Sequence, residues 1–427
     1  MIVFDADQEY YAKEYQQIVE KRHFTLIGIP TSTGGMYVGP LLTYVYVLVY
    51  WISSGNPVGV HLVTVLLISL QPGVIFWLLL HLKNYFVGLL AAIITLCSSL
   101  LWFTAYFASP ISLLFPLGLL FFYGLIICKP TKQWCFGMAL LLGLSIQIHF
   151  SLLIFFPIFI LYLLVSDNFQ KIPAKFYVLM LITILLSLFS LILFDLRHNA
   201  LISHNLLKFI FTGSPQLSYV GNISRVLQST TAVFSSLLIP NLAFGMRSLL
   251  MISVIAFLIK YRKTIVNKAA ITSLGVFLLL LLLYRGPLPD YYFFAQLPVF
   301  IFVLAQIVER ISQFRFGSII VFSFLAVIML TNVGVTIKSI NPYNLFVKQK
   351  AVAYIKNQVG DKPVAVSIDT DLGLQYGFDY LLDYYRITRL ATAPTAYEIR
   401  LRQHDNKTGI DFRQDNSPNA VKVVKVN

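Results

Sequence analysis

The sequence predicts a polytopic all-α membrane protein of about ten spans, with a small α/β cap at its C-terminal end. Three observations carry that expectation. The chain is 58% hydrophobic and 12% charged, with a mean hydropathy of +0.77, whereas ordinary globular domains are about a quarter charged. Apolar runs of the ~20 residues that cross ~30 Å of hydrocarbon recur along it. Basic residues gather in the short connections between those runs, so the formal charge of +14 reads as membrane orientation and not as a nucleic-acid surface.

Taken in order, the expected spans are 59–82, 85–107, 111–129, 133–148, 150–166, 175–194, 245–261, 268–285, 291–308 and 316–337. Their connections alternate between two sides. One side receives Lys83, Lys129, Lys132, Lys171, Lys175, Lys260, Arg262, Lys263, Lys268, Arg310 and Arg315, against the acids Asp167 and Glu309. The short loops opposite (108–110, 147–149 and 286–290) hold Asp290 and no Lys or Arg, with Arg285 at the border of the last. The positive-inside rule makes the first side cytoplasmic. Segments 1–58, 195–244 and 338–427 then lie outside. Cys97, Cys128 and Cys135 sit in or beside apolar runs without metal-ligand or disulfide spacing, and read as small buried hydrophobes.

The outer segments carry pattern. Asp7 to Arg22 reads as an amphipathic helix with Tyr11, Tyr15, Ile18 and Val19 on one face, suited to a membrane interface. Gly39–Ile52 is aromatic and apolar but short, and is expected to lie at or dip into the outer surface. The final residues, 341–427, turn polar. They alternate expected helices (Val347–Gln358, Gly377–Tyr385) with expected strands (Val364–Ile368, Val421–Val426), making a small domain beside a membrane domain over 1–340. The chain opens on the outer side without a segment to deliver it there, which leads us to expect a further transmembrane helix upstream.

Chemistry is best sought in Phe4-Asp5-Ala6-Asp7-Gln8-Glu9, where three acids fall within five residues. One reading is structural: Asp5 or Asp7 caps the following helix and Glu9 completes its charged first turn. The other is a carboxylate at the outer membrane face, placed to deprotonate an acceptor or hold a cation.

The stretch from Phe4 to Val58 resembles the opening of GT-C membrane glycosyltransferases. The similarity is to the dolichyl-phosphate-mannose protein mannosyltransferases (glycosyltransferase family 39-like) and their bacterial relatives, the lipid A aminoarabinose transferases. The resemblance rests on the acidic motif, on Gly39-Pro40-Leu41 and on Gly55-Asn56-Pro57. It continues at Gln147-Ile148-His149-Phe150, Phe194-Asp195-Leu196-Arg197-His198-Asn199 and Pro289-Asp290-Tyr291-Tyr292-Phe293, covering about residues 4–340. In that family the acidic motif follows a first transmembrane helix, so the resemblance implies that this helix is missing here. It also implies transfer of a sugar from a polyprenyl-phosphate donor to a lipid, glycan or protein acceptor outside the cytoplasm.

On that resemblance Asp7 is the expected catalytic base, with Asp5 second. Arg197, Lys208 and Arg285 are candidates to neutralise the donor phosphate; as basic residues near helix ends they also read as headgroup anchors. His149, with Gln147, would orient sugar hydroxyls and His198 would join the donor-binding residues; both histidines also read as hydrogen-bonded structure. Asp290 and Tyr291 would line the donor groove. Ala108-Ser109-Pro110, where relatives often carry a second acid, offers only hydroxyls. A divalent metal stays open, without a two-carboxylate site to hold it. The triplets Asn222-Ile223-Ser224 and Asn406-Lys407-Thr408 match a glycosylation pattern and receive no role.

Two other functions compete. A polyprenyl-linked sugar flippase or carrier would place ionisable residues at mid-membrane and repeat itself; the span centres lack Asp, Glu, Lys and Arg. An O-antigen ligase or polymerase would lean on basic and His residues in a late outer loop, which 195–244 could supply; the acidic opening argues against it.

Overall fold

The protein is described here in a computed structural model, which covers all residues except 1, 32–33, 83, 130, 167–170, 212–218, 285, 339–340, 342, 371–373, 402–409, 413–420 and 427; the side chains of 209–211, 219 and 220 are also outside the description. Two helices precede the bundle: α1 (Ala6–Lys21) and α2 (Leu41–Ile52). Then come α3 (Pro57–His81), the pair α4 (Tyr85–Cys97) and α5 (Ser99–Ala105), α6 (Leu114–Ile126), α7 (Lys132–Ile148), α8 (Phe155–Val165), and the pair α9 (Ala174–Ser187) and α10 (Phe189–Arg197). The second half holds α11 (Leu201–Phe211), α12 (Tyr219–Ser236), α13 (Phe244–Lys260), α14 (Ile265–Leu283), α15 (Leu297–Ser312) and α16 (Gly317–Lys338).

The chain is a multi-pass membrane protein. Each of the ten expected spans coincides with an apolar helical segment, and the segments differ in length. α3, α14, the segment Asp290–Ser312 and α16 are each long and apolar enough to cross alone. The pairs α4/α5 and α9/α10, bent by 61° and 60°, bring the number to six if each is one span. Pro110–Ile126, Lys132–Ile148, Phe150–Val165 and Phe244–Lys260 are shorter than the ~20 residues a straight crossing needs. The break between α4 and α5 is resealed by a side chain. Asn332 of α16 accepts from the Ser99 N–H (2.9 Å) and hydroxyl (2.7 Å), and donates to Leu238 O (2.6 Å). Freed backbone groups at membrane depth need such partners.

Residues 195–244, expected as an outer loop, contain α11 and α12. The reason is legible afterwards: Asn222, Val226, Thr230, Val233 and Phe234 are buried at helical spacing, a stripe masked by the polar residues between them. Phe234 stacks on Phe300 of α15 with centroids 4.6 Å apart. Across the bundle Gly118 brings α6 against the backbone of Ala295, where a Cβ would collide with the carbonyl.

The up-and-down path collects alternate connections at one end. There Val3 N–H bonds to Tyr106 O (3.1 Å), Gly39 N–H to Gln147 O (2.8 Å) and Leu345 N–H to Ile2 O (2.9 Å). The Tyr37 ring meets Phe194 at 5.9 Å, and His149 meets Tyr291 at 5.5 Å. Above this end lies the α/β cap: α17 (Leu345–Val359), β1 (Ala365–Thr370), α18 (Phe378–Tyr384), β2 (Ala396–Leu401), β3 (Ile410–Phe412) and β4 (Val421–Val426). The strands run in the order β1-β2-β4-β3, with β1 and β2 parallel and the other pairs antiparallel. The cap's core draws on both sides of position 340, since Phe4, Tyr15, Tyr46 and Tyr50 pack with Val347, Ile355, Phe378 and Tyr380.

Candidate functional site

The acid turn enters on an extended strand tied to α3. His61, in the first turn of α3 and buried, lies 2.8 Å from Val3 O through Nε2 and 3.0 Å from Pro57 O through Nδ1. Asp5 then occupies the N-cap of α1, where its N–H donates to Gln8 Oε1 (3.3 Å). The structural reading of this motif holds at Asp5 and Glu9. Glu9 is structural: its buried carboxylate accepts from the N–H groups of Gly377 (2.8 Å) and Tyr380 (2.7 Å), capping α18 from α1.

Asp5 is engaged as well. Lys348, on α17 and fully buried, directs its ammonium at Phe4 O (2.9 Å), Tyr376 O (2.8 Å) and Asp5 Oδ1 (3.2 Å). Three N–H donors thus meet three oxygens. Burial lowers the Lys348 pKa and the neighbouring Asp5 carboxylate opposes that shift. Asp7 differs from both neighbours. It is exposed, and its carboxylate has no hydrogen bond or ion pair to a described residue. Desolvation by surrounding protein raises its pKa from the usual 3.8, and the Asp5 charge raises it further.

From this turn the same end extends to the other resemblance motifs. Gly39 packs directly on the Gln147 side chain, leaving no room for a Cβ, and Gln147 Nε2 donates to Ser187 O. The hairpin around Pro30 and Tyr37 lies against α10 and α11, with Asn205 Nδ2 donating to Gly35 O (3.3 Å). Asp195 serves structure here: its carboxylate accepts from the N–H of Ile202 (2.6 Å) and the hydroxyl of Ser203 (2.5 Å) at the start of α11. His198 stacks on Phe194 at 3.9 Å and bonds through Nδ1 to Phe194 O (2.8 Å), so it is occupied within its own helix end. Arg197 and Lys208 are exposed. Arg285 lies outside the described residues.

A second cluster forms where α14 passes into the turn before α15. His149 Nδ1 accepts from Ser151 N–H (3.1 Å), which leaves the ring proton on Nε2. Its ring meets Tyr291 at 5.5 Å and Tyr292 at 6.4 Å, and Tyr292 meets Tyr284 at 6.2 Å. Asp290 opens that turn and is exposed. Beside these rings stands Arg225 of α12. Its Nη1 donates to Gly286 O (2.5 Å), and its Nη2 to Tyr284 O (2.9 Å) and Asn222 Oδ1 (2.5 Å). Asn222 is fixed in turn by donating to Leu282 O (2.7 Å). No described acid pairs with Arg225, and its Nε is buried without a partner.

The structure therefore brings the rings of His149, Tyr291, Tyr292 and Tyr284 together, with Arg225, a cation that sequence reasoning did not single out, bonded to Tyr284 O. Arg225 could have been found from its place in the buried stripe of α12, three residues after Asn222. Lys348 carried no such signal, because Phe4 and Asp5 lie more than 340 residues away. Among the described residues no three His, Cys, Asp or Glu side chains come together as metal ligands would.

No protein-family description matches the sequence, and no curated protein does. Solved structures do match. ArnT from Cupriavidus metallidurans bound to undecaprenyl phosphate is similar with a TM-score of 0.57 and 12% identity, over 99% of this chain and 94% of that one. The same protein in its apo state gives 0.58 and 11% over the same shares. Likeness at this identity establishes the fold: it is that of ArnT, an aminoarabinose transferase with the GT-C architecture, and it spans membrane helices and cap alike.

Proposed function

We propose that this protein transfers a sugar from a polyprenyl-phosphate donor to an acceptor outside the cytoplasm, in one inverting displacement. The observation that carries the reading is the end-to-end likeness to a GT-C structure solved with undecaprenyl phosphate bound. Two features of this chain support it. Of the three acids in the opening turn, two are engaged in structure and Asp7 is left available. Arg225 offers a half-buried guanidinium, held only by neutral acceptors, amid Tyr284, Tyr291 and Tyr292. Three of its five N–H groups are engaged and its Nε is buried, so a phosphate would be drawn chiefly by the positive charge that no described acid cancels.

In this mechanism Asp7 accepts the proton of the acceptor hydroxyl or amine as that atom bonds to the anomeric carbon. The bond to the phosphate oxygen breaks, and the polyprenyl phosphate leaves carrying the charge that Arg225 stabilises. The tail remains in lipid, and the aromatic rings face the sugar. Asp7, not Asp5, is the base, because Asp5 is held against Lys348.

Native mass spectrometry of the purified chain with undecaprenyl phosphate tests the donor assignment. Retention should exceed that of undecaprenol and should fall in Arg225→Gln. Equal retention of the two lipids would remove the phosphate donor from the reading. Turnover is then sought over a panel of polyprenyl-phosphate sugars.

A further inference from the structure

At the end of the bundle opposite the acid turn, α13 passes into α14 and α15 into α16. The two connections are knit together by side chains. Asn267 Nδ2 donates to Tyr261 O (3.1 Å), and Gln306 Nε2 to Asn267 Oδ1 (3.4 Å). This holds the Tyr261 backbone in place, and two cations close on its ring: Lys260 Nζ lies 5.4 Å from its centroid, and the Arg310 guanidinium 5.3 Å.

Arg262, Lys263 and Arg315 stand exposed around the same connections, and none of these five cations is ion-paired to a described residue. An aromatic ring holds cations in place without cancelling their charge. With Glu309 as the one described acid in these connections, five cations leave a net positive membrane edge whose self-repulsion an added anion relieves. The flanking Phe314 and Phe316 are 71% and 62% exposed, which suits the acyl boundary and not bulk water.

We propose that this Tyr261-centred cluster is a binding site for the phosphate of an anionic phospholipid, separate from the proposed donor site at the opposite end. Lys260 and Arg310 hold the phosphate from two sides across the ring; Arg262, Lys263 and Arg315 form the rim; and the two phenylalanines lie along the acyl chains. Occupancy would tie α13, α14, α15 and α16 together at the end where no cap covers them, so that acidic lipid stabilises the bundle. The proposal does not depend on what the opposite end transfers.

The test uses the full chain in detergent, with thermal unfolding and native mass spectrometry as readouts. Dioleoyl-phosphatidylglycerol should raise the unfolding temperature and be retained, while dioleoyl-phosphatidylcholine should do little. Lys260→Gln with Arg310→Gln should weaken phosphatidylglycerol retention about thirtyfold, at the roughly 1 kcal/mol that each basic side chain contributes near an anionic surface. Arg310→Lys, which keeps the charge, should retain most of the binding and controls for a fold that the double variant disturbs. Equal stabilisation by the two lipids would overturn the site, as would undiminished retention by the double variant. Inorganic phosphate that raises the unfolding temperature as much as phosphatidylglycerol does would replace the lipid with a free anion and overturn the proposal as stated.

Discussion

The acid turn and the α12–α14 corner handle charge in opposite ways. In the turn, Glu9 and Asp5 are matched to donors more than 300 positions away, so the cap and the start of the chain are locked together. At the corner, Arg225 is held by carbonyl and amide oxygens of neutral groups, and nothing described cancels its charge. A buried charge paired with an opposite one is a structural link. One stabilised only by dipoles keeps its attraction for a ligand. On the proposed function the comparison separates scaffold from site: within these two regions Asp7 and Arg225 are the described charges without a charged partner.

The sharpest way to break that comparison is to remove the unpaired acid. Asp7→Asn keeps the shape and loses the proton acceptor, so transfer should fall roughly 10²-fold or more, in the range of general-base contributions, with little change in thermal unfolding. Near-normal turnover would return Asp7 to the surface and end the distinction. Arg225→Gln follows in size. Losing charge-assisted bonds of about 1.5–3 kcal/mol should weaken undecaprenyl phosphate binding by at least about tenfold. If affinity holds while stability drops, Arg225 is scaffold after all.

Glu9 sharpens the other half of the comparison. Glu9→Ala leaves two N–H groups at the start of α18 without their charged acceptor, in the buried seam between α1 and the cap. A loss of about 2–3 kcal/mol of stability follows from hydrogen bonds to a charged group, seen as a lower unfolding temperature. Unchanged stability with a selective catalytic defect would mean that Glu9, and not Asp7, serves the chemistry.

The membrane fold was legible because lipid imposes its constraint residue by residue: the apolar runs from 59 to 337 all became helices, and the capping pattern at Asp5 became a helix start. The amphipathic pattern of α1 held, but Tyr15 on the face expected to suit a membrane interface is buried against α2 and the cap instead. What stayed hidden depends on tertiary pairing. No pattern around Lys348 points to Phe4, and no spacing within the acid motif ranks Asp7 above Glu9. The strands Ala396–Leu401 and Ile410–Phe412 went unforeseen because Glu398, Arg400 and Asp411 interrupt them, yet Arg400 pairs with Asp369 across the sheet at 3.0 Å. Among the expected phosphate ligands, Arg197 and Lys208 were legible as basic residues but not as exposed ones.

The finest distinction within the turn concerns proton affinity. Asp7 has a pKa raised above 3.8 in the folded protein, by desolvation first and by the Asp5 charge second. A base must be ionised to act, so the acid limb of the transfer rate should lie above pH 3.8. The groups packed around the turn are Lys348 from α17, His61 from α3 and Tyr11 on α1 itself, and the negative charge among Asp7's causes belongs to Asp5. Asp5→Asn removes it, so the acid limb should move to lower pH. Stability should follow with the opposite sign to an ordinary salt-bridged acid. With its folded pKa above the unfolded one, Asp7 favours the native state below pH 3.8, and that contribution fades as pH rises through the folded pKa. In Asp5→Asn the fading should finish at a lower pH, measured as unfolding temperature against pH beside the Asp7→Asn background, where the step should vanish. A limb that stays in place in Asp5→Asn would show that the Lys348 ammonium already screens Asp5 from Asp7, and that desolvation alone sets the proton affinity of the base.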